Sequence, residues 1–94
     1  ADLMDSTQLG YKYFDFTGVR EISVTCRGVG SGILEVRTEE KGDVVGTVPV
    51  RSSLGWRREK AKVKLDGVHP LFLCFRGKGK IDLHAIAFSK EESA

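Results

Sequence analysis

Apolar and polar residues alternate with period two along most of this chain, the spacing that sets one face of a β-strand in a core and the other in water. From Glu21 to Arg27, Ile22, Val24 and Cys26 interleave with Glu21, Ser23, Thr25 and Arg27, which predicts a half-buried antiparallel strand. Ile33, Glu35 and Arg37 alternate with Leu34, Val36 and Thr38; after a charged turn containing Gly42, the β-branched pattern resumes at Val44, Val45, Val48 and Val50. Two strands of a hairpin are expected there. The polar segment RSSLGW follows and is expected to carry Trp56 on a loop. Beyond it, Ala61, Val63 and Leu65 alternate with Lys60, Lys62 and Lys64. Period two prevails over a helix-compatible composition and predicts a strand with a lysine-lined solvent face.

Two runs are denser in apolar residues. Tyr11, Tyr13, Phe14 and Phe16 form an aromatic strand closed by Thr17-Gly18, and Val68 to Phe75, VHPLFLCF, fits a strand buried on both faces. Ile81 to Phe88, IDLHAIAF, reads as the closing strand. Gly28, Gly30 and Gly32 are expected to form a hairpin turn. They do not support phosphate binding, since no helix follows to present its amino-terminal NH groups. Residues 1–9 hold only Leu3, Met4 and Leu9 as large apolar residues and read as a frayed lead-in or a severed edge strand. The final SKEESA reads as a solvated tail. About seven strands and no helical pattern predict an all-β fold, a β-sandwich or a barrel.

Ninety-four residues predict one domain over 1–94, with an ordered core at about 10–88. The formal net charge is +2, with Lys and Arg scattered among Asp and Glu, so nucleic acid is not indicated as a partner. No apolar stretch approaches ~18 residues, and no charged start leads into an apolar segment, so neither a membrane span nor a signal peptide is expected in this chain. Cys26 and Cys74 lie far apart inside alternating runs and are expected to be reduced and buried.

Candidate chemistry is sparse. His69 and His84 are the only histidines, and a shared metal would require their strands to be neighbours in matching register. Glu35, Glu39, Glu40 and Asp43 flank a hairpin, where acidic residues are ordinarily solvated. No Ser/His/Asp order, H-E-x-x-H or paired-Cys motif occurs, and catalysis is not expected. What remains is an aromatic set, Trp56 with Tyr11 and Tyr13. Flat rings stack on the apolar faces of sugars while polar neighbours bond the hydroxyls, and such a site tolerates a shallow surface. Packing roles for all three rings stay open at this point.

The blocks YKYFDFTGV, ISVTCRGVGSGILEVRT, KGDVVGTVPVRSSLGW and DGVHPLFLCFRGKGKIDLHAIAF resemble the carbohydrate-binding modules of family 6, over about residues 10–88. The YKYFDF version is similar to modules placed behind the catalytic propeller of family 43 glycoside hydrolases, enzymes acting on arabinoxylan and related plant polysaccharides. The resemblance implies a jelly-roll sandwich that is itself non-catalytic and binds sugar by stacking. It also implies two partners, a plant cell-wall polysaccharide and the catalytic domain of a parent hydrolase, and a secreted or cell-surface location. Trp56 matches the family's Gly-Trp. Family members begin with a Glu-Ala-Glu-like strand that helps hold a structural calcium ion; nothing like it precedes Tyr11, so that first strand is expected to be missing and metal ligands are unassigned. The resemblance also implies a second aromatic, before the first matching strand, that sandwiches the sugar with the Trp, and an Asn just before the last strand that hydrogen-bonds it; here Gln8 stands near the place of that aromatic, and no Asn stands around Lys80 to Asp82. The alternative is a structural accessory domain that packs on the catalytic domain without binding sugar.

Overall fold

The period-two segments become strands in a computed structural model that describes residues 2–39 and 42–90. In chain order they are β1 (Asp2–Leu3), β2 (Gln8–Asp15), β3 (Val19–Gly28), β4 (Ser31–Arg37), β5 (Gly46–Val50), β6 (Ser53–Leu65), β7 (Val68–Lys78) and β8 (Ile81–Lys90). They form two four-stranded antiparallel sheets, one in the order β1-β8-β3-β6 and the other in the order β2-β7-β4-β5. This is the expected β-sandwich of jelly-roll type. The seven expected strands are present, with the two-residue β1 in addition.

The core lies between the sheets and is built from the apolar parity of each strand. Ile22, Val24 and Cys26 of β3 face Leu34 and Val36 of β4 and Leu71, Leu73 and Phe75 of β7, all at most 1% exposed. Each such side chain contributes about 1.5–3 kcal/mol on leaving water. In β2 a register shift between Tyr11 and Phe14 inserts an extra residue, which switches the inward parity. Phe16 thereby packs edge-on against Phe88, with ring centroids 5.1 Å apart. Both cysteines are free and buried, as expected. Among the described residues no helix is long and apolar enough to cross a membrane.

Several expectations are corrected. The RGVGSG segment is not a hairpin turn, because β3 and β4 belong to different sheets. It carries the chain across the sandwich, and its glycines permit close approach: a Cβ on Gly28, whose φ is +134°, would lie 2.6 Å from the Lys80 carbonyl oxygen. Of the two readings of the lead-in, frayed or edge strand, the edge strand is the one seen: β1 stands at the end of its sheet, and Leu3 is fully buried and pairs with Ile81 in β8. Backbone bonds Ser6 N–H to Phe75 O at 2.7 Å and Phe75 N–H to Thr7 O at 3.0 Å tie the next residues to β7. Val44 and Val45 precede the strand, which starts at Gly46. Trp56 does not sit on a loop; it belongs to β6, which begins at Ser53. Of the expected tail, Ser89 and Lys90 belong to β8, while 91–94, like Glu40 of the acidic set, lie outside the described residues.

Candidate sugar-binding site

Trp56 owes its position to a bulge. Between the pairs Cys26–Arg57 and Gly28–Ser53, β3 contributes Arg27 alone while β6 contributes Leu54, Gly55 and Trp56. The surplus bows β6 outward, and the Ser53 hydroxyl closes the bow by donating to the Gly55 carbonyl at 2.9 Å. Trp56 is left 47% exposed. A second irregularity does the same in β8: between Thr25–Ala85 and Cys26–Leu83, His84 is the extra residue. It is brought to 4.9 Å from the Trp56 ring centroid, tilted by 42°. The Arg27 guanidinium lies 4.3 Å from the Trp56 centroid, a cation–π contact that fixes the indole. Arg27 also reaches Asp82 at 3.9 Å.

Beside this cluster opens a cleft of about 330 Å³, whose lining includes Arg27, Ser53, Leu54, Lys80 and Asp82. Lys80 is paired with Asp2 at 3.5 Å. The cleft therefore offers N–H and O–H donors and carboxylate acceptors against an apolar patch, the mixture that polyol ligands require.

The three rings picked out by sequence are not gathered into one site. Tyr11 sits on the inner side of β2, where burial pushes its phenol above the ordinary value. It lines a second cleft of about 230 Å³ together with Phe14, Leu83, His84 and Phe88. His84 thus connects the Tyr11 cleft to Trp56. Tyr13 lies in the β2 bulge on the other sheet, 71% exposed, and lines neither cleft.

The histidines fall on different sheets, so they do not share a metal. His69 bonds through Nε2 to the Asp66 carbonyl at 2.8 Å and steadies its turn. Among the described residues no three His, Cys, Asp or Glu side chains converge. The sequence pointed to neither Arg27 nor Asp82 as a site residue, and to His84 only as a candidate metal ligand. Arg27 was visible as the last outward position of an alternating strand, but its meeting with Trp56 and His84 depends on the order β8-β3-β6, which joins strands distant in the chain.

No family model matches the chain. A curated xylosidase/arabinosidase from Thermoclostridium stercorarium is 37% identical over 84 residues, which make up 88% of this chain and 18% of that protein; the chain spans less than a fifth of that relative's length. Among solved structures, a family 43 arabinoxylan arabinofuranohydrolase from Bacillus subtilis, in complex with cellotetraose, superposes with TM-score 0.85 at 26% identity over 96% of this chain and 20% of its own. A family 6 carbohydrate-binding module from Clostridium cellulolyticum, in complex with xylose, superposes with TM-score 0.86 at 25% identity, over 94% of this chain and 75% of that one. A module from Clostridium stercorarium, in complex with cellobiose, shares the fold with TM-score 0.80 at 23% identity, over 95% and 71%. In fold and relationship together, this chain belongs with the family 6 carbohydrate-binding modules, non-catalytic β-sandwiches of the kind found with family 43 glycoside hydrolases.

Proposed function

We propose that the chain binds plant cell-wall polysaccharide, xylan or arabinoxylan, for the catalytic domain of a parent glycoside hydrolase, and that Trp56 is the platform on which a sugar ring lies. The observation that carries this reading is a half-exposed indole fixed by Arg27 and His84 beside a cleft with both donors and acceptors. A ring held in place before binding loses little freedom on contact, which favours a shallow stacking site. Tyr11 supports the neighbouring surface through His84, and Tyr13 has a lesser part. The similar proteins support this at the level of plant cell-wall glycans: one module was solved with xylose, another with cellobiose, and the arabinoxylan arabinofuranohydrolase with cellotetraose. Electrophoresis through native gels cast with xylan or arabinoxylan tests it: retardation relative to a gel without polysaccharide is expected, and unchanged mobility in both would contradict it.

A second reading, an accessory domain packed on the catalytic domain, draws on Val29 and Leu54. They are 76% and 95% exposed and line the 330 Å³ cleft, an apolar surface suited to a domain interface. Under that reading Val29→Ser with Leu54→Ser lowers the stability of the parent enzyme and leaves glycan retention unchanged.

A further inference from the structure

The outward face of β6 continues past Trp56 as a row of cations. Val63 and Leu65 are buried and Ala61 packs on the core, so the even-numbered residues face out: Trp56, Arg58, Lys60, Lys62 and Lys64, all exposed. At the rise of an antiparallel strand Arg58, Lys60 and Lys62 stand about 7 Å apart, with Trp56 in the bulge at one end and Lys64 in a second register shift at the other. Because β6 is an edge of its sheet, the row forms a wall. The floor beside it is flat, since Ser23 pairs with Lys60 and Ala87, and Thr25 pairs with Arg58 and Ala85. Among the described residues Glu21 lies 3.9 Å from Lys60 Nζ, and Asp66, paired with Arg20 at 3.4 Å, also feels the charge of Lys64. Arg58, Lys60, Lys62 and Lys64 facing these two acids, one of them already paired with Arg20, leave a net positive trough that ends at an aromatic platform.

From this trough, and resting on the reading of Trp56 as the sugar platform, we infer that the outer face of the β1-β8-β3-β6 sheet is a track for an anionic polysaccharide, a glycan chain bearing uronate carboxylates. Edge lysines also discourage sheet-to-sheet pairing, but that role requires neither the flat floor nor the ring at its end. Single-stranded nucleic acid is held by stacking rings interleaved with cations; here one ring stands at one end of an uninterrupted row, which matches a chain anchored by one sugar and steered by its carboxylates.

Calorimetric titration of the 94-residue chain with glucuronoxylan, neutral arabinoxylan and oligothymidylate tests the inference. At low salt the acidic glycan is expected to bind about tenfold more tightly than the neutral one, and the preference should vanish near 1 M salt, where the Debye length is about 3 Å. The triple variant Lys60→Gln, Lys62→Gln, Lys64→Gln should lose the preference while keeping neutral binding, and Lys78→Gln on the other sheet should keep it. If the triple variant does not fold, Lys62→Gln alone should lose part of the preference. Equal affinity for acidic and neutral glycans would overturn the track and leave Trp56 standing. Oligothymidylate binding as tightly as glucuronoxylan would overturn its assignment to polysaccharide. Binding to neither glycan would overturn both the track and the platform.

Discussion

Arg27 and Trp56 depend on each other unequally. The indole supplies the apolar face, so Trp56→Ala removes the platform; affinity for xylo-oligosaccharides should fall by on the order of 1 to 3 kcal/mol, roughly 5- to 150-fold, in calorimetry. Arg27 acts through the ring it holds 4.3 Å away. Arg27→Ala should therefore weaken binding less than Trp56→Ala does. The charge pairs around them are exposed; Arg27 and Asp82 retain 49% and 39% side-chain accessibility, and such pairs contribute little to folding. Either variant should keep a thermal midpoint close to that of the parent chain, which separates lost binding from lost structure.

At the scale of elements, β1 and the turn between β6 and β7 make distinct demands. Leu3 is fully buried although its strand has two residues. Leu3→Ala should cost about 2–5 kcal/mol in chemical denaturation, whereas a dispensable lead-in would cost nothing. In the turn, Asp66 accepts from the Gly18 N–H at 3.0 Å and from Arg20 at 3.4 Å. The Gly18 hydrogen bond first, and Arg20 after it, hold the Asp66 carboxyl below its ordinary value of 3.8; Thr17 does the same for Asp15. A carboxyl that titrates lower folded than unfolded adds stability that is complete above the unfolded value and is lost as pH falls through the folded one. Thermal midpoints should therefore drop below about pH 4, and Asp66→Asn should be less stable at neutral pH and show a shallower acid loss. An unchanged acid limb in that variant would assign the loss to other groups.

Across the whole molecule, the strands were legible because each buries one face and writes a period of two into the chain, as at Ile22, Val24 and Cys26. Sheet membership was not. The glycines of RGVGSG signal a turn, but composition does not reveal whether the next strand pairs with the last or crosses to the opposite sheet. Leu3 was legible only as an isolated apolar residue, because a strand of two residues carries no period to choose between a frayed lead-in and an edge strand. Trp56 was legible as a candidate, while its strand setting was hidden by Ser53 and Gly55, residues typical of loops that here build a bulge. Its neighbours arise only when β8 and β6 flank β3. Because Trp56 is the sole tryptophan, its fluorescence reports on the proposed site alone, and titration with xylo-oligosaccharides while following indole emission is the most direct measurement. A saturable change in intensity and wavelength, with the same midpoint as calorimetric binding, is the predicted result; calorimetric binding that leaves the emission of Trp56 unaltered would contradict the account.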